Sequence, residues 1–89
     1  MVVADNQTGG KGRLGRAWTS RNGEGVYMSV LLRPDISPAR LSSITLCAGL
    51  AVCLALREDF GIDALIKWPN DIVVDGRKIC GILTEMSGQ

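Results

Sequence analysis

Histidine is absent from this chain, and its cysteines, Cys47, Cys53 and Cys80, do not have the spacing of metal ligands. Those two absences exclude the familiar Cys/His zinc patterns. The three thiols are expected to be buried in a reducing compartment. No apolar run reaches the roughly 20 residues a membrane helix needs. The opening Met1-Val2-Val3-Ala4 is far too short for a signal peptide. Together these features predict a cytoplasmic protein that does not enter the membrane. The net charge is only +1, so no global field draws the chain to nucleic acid or to an anionic membrane. Repeats, low-complexity tracts and internal linkers are also missing.

What is present is short and apolar. A chain of 89 residues makes one small domain at most and buries a limited fraction of its surface. Its 46% hydrophobic content is high for that length, which suggests a segment that packs inside something larger. Charge is unevenly spread: Lys11, Arg13, Arg16 and Arg21 follow one another with no acid between them. They share a stretch, Gln7 to Trp18, with Gly9, Gly10, Gly12 and Gly15. Glycines let backbone approach a ligand closely, and neither they nor unpaired cations help a free fold. An anion site is the natural expectation.

Read in order, Val2 and Val3 form a short β-branched run that ends in turn formers before the glycine loop. Trp18 and Thr19 can resume extended structure, and Ser20 to Gly25 read as a turn. From Val26 to Leu32, Val26, Met28, Val30 and Leu32 share one strand face, and both faces are expected to be at least partly covered. Ser37-Pro38 reads as N-cap and first turn of a helix running to Phe60, with Gly61 as its left-handed cap. Its predicted core stripe is Leu41, Ile44, Ala48, Ala51 and Ala55, widened by Cys47, Leu50 and Leu54. Leu65 to Trp68 form a strand that Pro69 ends. Ile72-Val73-Val74 and Ile79 to Met86 flank Asp75-Gly76, a hairpin signal, with Gly81 interrupting the second strand.

The loop fails two familiar phosphate-binding patterns. Lys11 is followed by Gly12 where a Walker A loop needs Ser or Thr at the head of a helix. The segment after the loop reads as extended, where a dinucleotide fingerprint opens a helix. RNA binding is disfavoured by one short block, no aromatics among the arginines and a net charge near zero. A small carboxylate or phosphate ligand remains, beside the alternative of a purely structural turn. Lys67 stands in an apolar strand; on that strand it points opposite to Ile66 and Trp68 and can snorkel to water.

Taken together, Gly10-Lys11-Gly12-Arg13-Leu14-Gly15-Arg16 and Lys67-Trp68-Pro69-Asn70-Asp71 resemble, in order and separation, the catalytic domain of biotin protein ligases, the biotin-[acetyl-CoA-carboxylase] ligase family. Gln7, Trp18, the Val26–Leu32 strand, Asp75-Gly76-Arg77-Lys78 and Gly81-Ile82-Leu83 extend the resemblance over essentially the whole chain. It implies an α/β (α+β) fold of the biotin and lipoate ligase type, related to class II aminoacyl-tRNA synthetases, with a mixed, largely antiparallel sheet packed on helices. It also implies biotin and ATP as substrates, Mg²⁺ with the ATP, and a lysine of a biotin carboxyl carrier protein, an acetyl-CoA carboxylase subunit, as acceptor.

By the same resemblance Arg13 and Lys67 are the catalytic residues. Gln7, Gly10, Lys11, Gly12, Arg13 and Lys67 bind biotin and adenylate, Arg16, Trp18, Asn70 and Asp71 support them, and no residue holds a metal. Lys11 departs from the arginine common in the family and so loses a planar fork. The family's upstream Ser/Thr-Asn motif, its downstream domain and the DNA-binding domain of its repressor members do not occur in these residues. Residues 1–89 are therefore expected to be the central part of a catalytic domain, inactive alone and without operator binding. A lipoate-type ligase and a non-catalytic biotin-binding module are the alternatives.

Overall fold

A computed structural model describes residues 1–17, 25–40 and 42–86. The chain divides into two compact units, Met1–Asp35 and Ile36–Gln89. The expectations for Trp18 and Thr19, for all but the final Gly25 of the predicted turn over residues 20–25, for Leu41 and for the last three residues lie outside the described residues.

In the first unit β1 (Val2–Ala4) pairs antiparallel with β2 (Tyr27–Ser29), Val2 opposite Ser29 and Ala4 opposite Tyr27. The second strand is shorter than the predicted Val26–Leu32, and its faces are not covered. Val26 and Leu31 are 78% and 79% exposed. A two-stranded ribbon has no second layer within its own unit, so side chains on both of its faces stay in water.

The second unit begins with a single 3-10 turn, Pro38–Arg40, and continues as α1 (Ser42–Phe60). Ser37 caps the turn as expected: its Oγ accepts from Ala39 N–H at 3.3 Å and its carbonyl from Arg40 N–H at 2.8 Å. At the far end Gly61 N–H donates to the Arg57 carbonyl at 3.2 Å, with Gly61 at φ 65° as predicted. Arg57 also fixes the exit of the chain. Its Nε donates to the Ala64 carbonyl at 2.7 Å, and its guanidinium pairs with Asp63 at 3.1 Å.

The strands β3 (Leu65–Lys67), β4 (Asp71–Val74) and β5 (Arg77–Gly81) form an antiparallel sheet with β4 at its centre. Asp75 and Gly76 make the predicted turn, both with positive φ (51° and 76°), the geometry for which glycine is selected in a two-residue hairpin loop. That turn sets Val74 opposite Arg77 and Val73 opposite Lys78. Beyond it Ile72 faces Cys80, so Ile79 is an extra, bulged residue. The second strand of the hairpin thus starts at Arg77 and ends at Gly81, earlier at both ends than the predicted Ile79–Met86. The Trp68–Pro69 peptide bond is cis.

Ile72, Cys53 and Ala64 are the buried core, with Val52, Leu56, Ile62, Val74 and Cys80 packed around them. The helix face that meets the sheet therefore runs through Gly49, Val52, Cys53 and Leu56. The predicted stripe is displaced from it: Leu50, Ala51, Leu54, Ala55 and Cys47 are exposed, and of that stripe Ile44 and Ala48 are half-buried. A helix that is apolar almost all round gives periodicity too little contrast to fix its inner face. The exposed Cys47 also departs from the expectation of three buried thiols. By length and composition alone Pro38–Phe60 is apolar enough to cross a membrane, contrary to the sequence reading. Of α1, Gly49 and Cys53 are buried, Cys53 in the core beside Ile72 of the sheet.

Gly49 is buried on the helix face turned toward Ile72. A Cβ built there would lie 3.7 Å from Ile82 Cδ1 and 4.0 Å from Ile72 Cδ1, ordinary van der Waals contact. Gly49→Ala is therefore expected to raise stability by about 1 kcal/mol through helix propensity. Urea denaturation of the two proteins checks this, and a loss of stability would show that the helix sits closer to the sheet than these distances allow.

Candidate functional site

Each group of predicted site residues is local to one unit. In the first, the loop after β1 closes on itself. Lys11 and Ala17 form an antiparallel bridge. Gly12 N–H donates to the Arg16 carbonyl at 2.5 Å, and Arg16 N–H to the Arg13 carbonyl at 3.2 Å. A 3-10 turn, Arg13–Gly15, forms the crest, where Leu14 (φ 58°) and Gly15 (φ 75°) are both left-handed. Glycine adopts that conformation freely; leucine does not, and Leu14 is also 88% exposed. The Gly12 amide is committed to the loop's own closure. In this conformation the loop offers cations more than amides: Lys11, Arg13 and Arg16 are exposed, while Gly10 and Gly12 are half-buried and Gln7 lies exposed before them.

In the second unit the sheet has two unlike faces, because residues directly opposite each other in an antiparallel pair project to the same side. Ile66, Ile72, Val74 and Cys80 share the face toward α1. Leu65, Lys67, Asp71, Val73, Lys78 and Gly81 share the other. The predicted orientation of Lys67, away from Ile66, is found. Lys67 is exposed and has no hydrogen bond or ion pair among the described residues. Lys67, Asp71 and Gly81 form one row across the three strands.

Asn70 has a definite role here. Its carbonyl accepts from Ile82 N–H at 2.9 Å and its Nδ2 donates to the Ile82 carbonyl at 2.8 Å. This reciprocal clasp fixes the turn after Lys67 to the chain leaving β5. Asp71 Oδ1 is buried and accepts no aligned hydrogen bond; it meets Lys78 Nζ at 3.0 Å as an ion pair. Sequence reasoning did not single out Lys78 as a site residue, although a two-residue turn at Asp75-Gly76 already sets it opposite Val73, on the face of Asp71. Burial pushes the Cys80 thiol above its ordinary range, with Lys78 opposing the shift and Asp71 adding to it. Cys80 is thereby kept a thiol and not a thiolate nucleophile. Among the described residues no cluster of three or more His, Cys, Asp or Glu side chains could hold a metal ion.

Comparison with known proteins covers both units. Residues 1–89 match the sequence model of the biotin/lipoate A/B protein ligase family. The bifunctional ligase/repressor BirA of Bacillus subtilis is 51% identical over 89 residues, which is 100% of this chain and 27% of that protein. BirA of Escherichia coli is 38% identical over 98% of the chain and 27% of its own length. The biotin–[acetyl-CoA-carboxylase] ligase of Mycobacterium tuberculosis is 33% identical over 98% of the chain and 34% of its own length. The chain thus spans about a quarter to a third of the length of these relatives. With the family match running from the first residue to the last, through loop, helix and sheet alike, the chain belongs to the biotin/lipoate A/B protein ligase family.

Proposed function

We propose that this chain is part of a biotin–protein ligase catalytic domain, which activates biotin with ATP and transfers it to a lysine of a biotin carboxyl carrier protein of acetyl-CoA carboxylase. The observation that carries the reading is Lys67, an exposed cation without a partner among the described residues, on the sheet face turned away from the helix. In the first step a carboxylate oxygen of biotin attacks the α-phosphorus of ATP. The bond to the bridging oxygen breaks and pyrophosphate leaves. In the second step the carrier lysine's free amine attacks the biotinyl carbonyl, AMP leaves, and the amine gives up a proton to form the amide. Negative charge gathers first where carboxylate meets phosphate and then on the departing phosphate. Lys67 stabilises it as a fixed cation, and Arg13 shields and orients the mixed anhydride, with Gln7, Gly10, Lys11 and Gly12 around biotin. Arg16 and Trp18 hold the loop closed; Asn70 and Asp71 support the turn after Lys67.

Mg²⁺ would arrive with the ATP phosphates, which it ordinarily accompanies. The kinship of this ligase fold with class II aminoacyl-tRNA synthetases, which also make acyl-adenylates, fits the same chemistry. Biotin is favoured over lipoate because the matched relatives are named for biotin or as BirA. Because the chain spans 27% and 34% of the Bacillus subtilis and Mycobacterium tuberculosis relatives, the 89 residues alone are expected to make no biotinyl-adenylate.

Grafting the chain into Bacillus subtilis BirA, in place of the segment it matches, tests the reading. The graft should release pyrophosphate with biotin and not with lipoate. Release with neither would leave a binding module, and release with lipoate alone would reverse the substrate. In the same graft Arg13→Gly should still form adenylate but free it about ten- to a hundredfold faster, the loss of one charge-assisted contact. Adenylate recovered in the filtrate measures this, and unchanged escape would remove Arg13 from its role.

A further inference from the structure

Antiparallel pairing sets Lys67 directly opposite Asp71, so the two side chains leave one face with Cβ atoms about 5 Å apart. An ammonium and a carboxylate so placed ordinarily pair. A Lys67 held in that way would meet an anionic ligand with its charge already answered. They do not pair. Lys67 has no partner among the described residues, and Asp71 Oδ1 meets Lys78 Nζ at 3.0 Å instead.

The competition is one-sided for a structural reason. Asp71 lies on the central strand with its side chain 21% exposed, and a carboxylate so far withdrawn from water keeps a cation beside it. Two lysines can reach it. Lys67 comes from the edge strand β3, and Lys78 from β5, where it stands opposite Val73, one step along the same face from Asp71. Whichever lysine takes the carboxylate leaves the other available.

We propose that Lys78 is a positioning residue that occupies Asp71 and so keeps the Lys67 ammonium free for the anionic ligand. This rests on the reading of Lys67 as the cation at the adenylate. Lys78 itself needs no contact with substrate. Asp71 serves as the anchor of Lys78 and would become an inhibitor of Lys67 if that anchor were lost.

Trace acetylation of the chain with acetic anhydride, read at Lys67 by mass spectrometry, tests this directly, because only an unprotonated, unpaired amine is acylated. Lys78→Met should lower Lys67 labelling roughly threefold, the effect of a modest surface ion pair. The double variant Asp71→Asn/Lys78→Met should restore it, and Lys78→Arg should leave it at the wild-type level. Unchanged labelling in Lys78→Met, or a fall that persists in the double variant, overturns the proposal. A chain that merely unfolded would not recover on removing a second charge. In the grafted ligase, adenylate formation should fall in Lys78→Met and return in the double variant to the level of Asp71→Asn alone. If labelling follows the expected pattern while adenylate formation ignores every variant, the positioning stands and the role given to Lys67 falls.

Discussion

Lys67→Met in the grafted ligase is expected to lower biotinyl-adenylate formation by about 10²- to 10³-fold, the usual effect of removing one preorganised charge from a developing anion. The loss should fall on the rate of the chemical step more than on biotin affinity, because charge at the junction of carboxylate and phosphate is greatest in the transition state. Lys67→Arg should recover part of it: the charge returns, but a planar fork spreads it where a compact ammonium concentrates it. Single-turnover kinetics at saturating biotin separate the two effects. If Lys67→Met alters only the biotin concentration needed, Lys67 is a binding residue and not a catalytic one. The protein fold should be indifferent to the change, since Lys67 holds the sheet through its backbone pairing with Asp71 while its exposed side chain has no hydrogen bond or ion pair among the described residues.

The largest effect on folding is expected from Ile72→Ala. Ile72 is the only large side chain that is fully buried among the described residues. It lies on the central strand and packs with Cys53 and Ala64. Truncation removes transfer free energy and leaves a cavity, together about 3 kcal/mol. A unit with so small a core has little more than that to lose. Urea denaturation should therefore find the variant largely unfolded in buffer, while Leu54→Ala, at a site 42% exposed, should cost under about 1 kcal/mol. A cost below about 1 kcal/mol at Ile72 would mean that the core is centred elsewhere.

Local chemistry was the legible part of the sequence. Ser37-Pro38 announced a helix start, Gly61 its end and Asp75-Gly76 a two-residue turn, and each does so in the structure, while β3 stops at Lys67, one residue short of the predicted Trp68. These signals act through a few backbone dihedrals and need no distant partner. The inner face of α1 was not legible, because its apolar residues surround the axis and only the sheet beneath chooses among them. The uncovered β1–β2 ribbon was missed for the opposite reason: alternating apolar residues describe what could be covered, not what covers it. Of the candidate site, the orientation of Lys67 away from Ile66 was legible. Lys78 escapes the sequence reading because the apolar run that marks the second hairpin strand begins at Ile79, two residues after the observed start at Arg77. Counting outward from the Asp75-Gly76 turn would have set Lys78 opposite Val73. Asn70 was found, but its clasp on Ile82 depends on where β5 ends, which sequence does not give.

The bulge at Ile79 has a consequence for how this hairpin tolerates change in length. Lys78 and Gly81 are an odd number of positions apart, yet both lie on the face of Asp71, because the extra residue shifts the strand by half a pleat. Removing that residue would leave a regular hairpin in which Lys78 still faces Val73, Cys80 still faces Ile72 and Gly81 still faces Asp71, so Cys80 stays toward the helix and Gly81 away from it. A single deletion at Ile79 should therefore be tolerated without exchanging the two faces, and an alignment of family members through β5 should show one-residue gaps at this position.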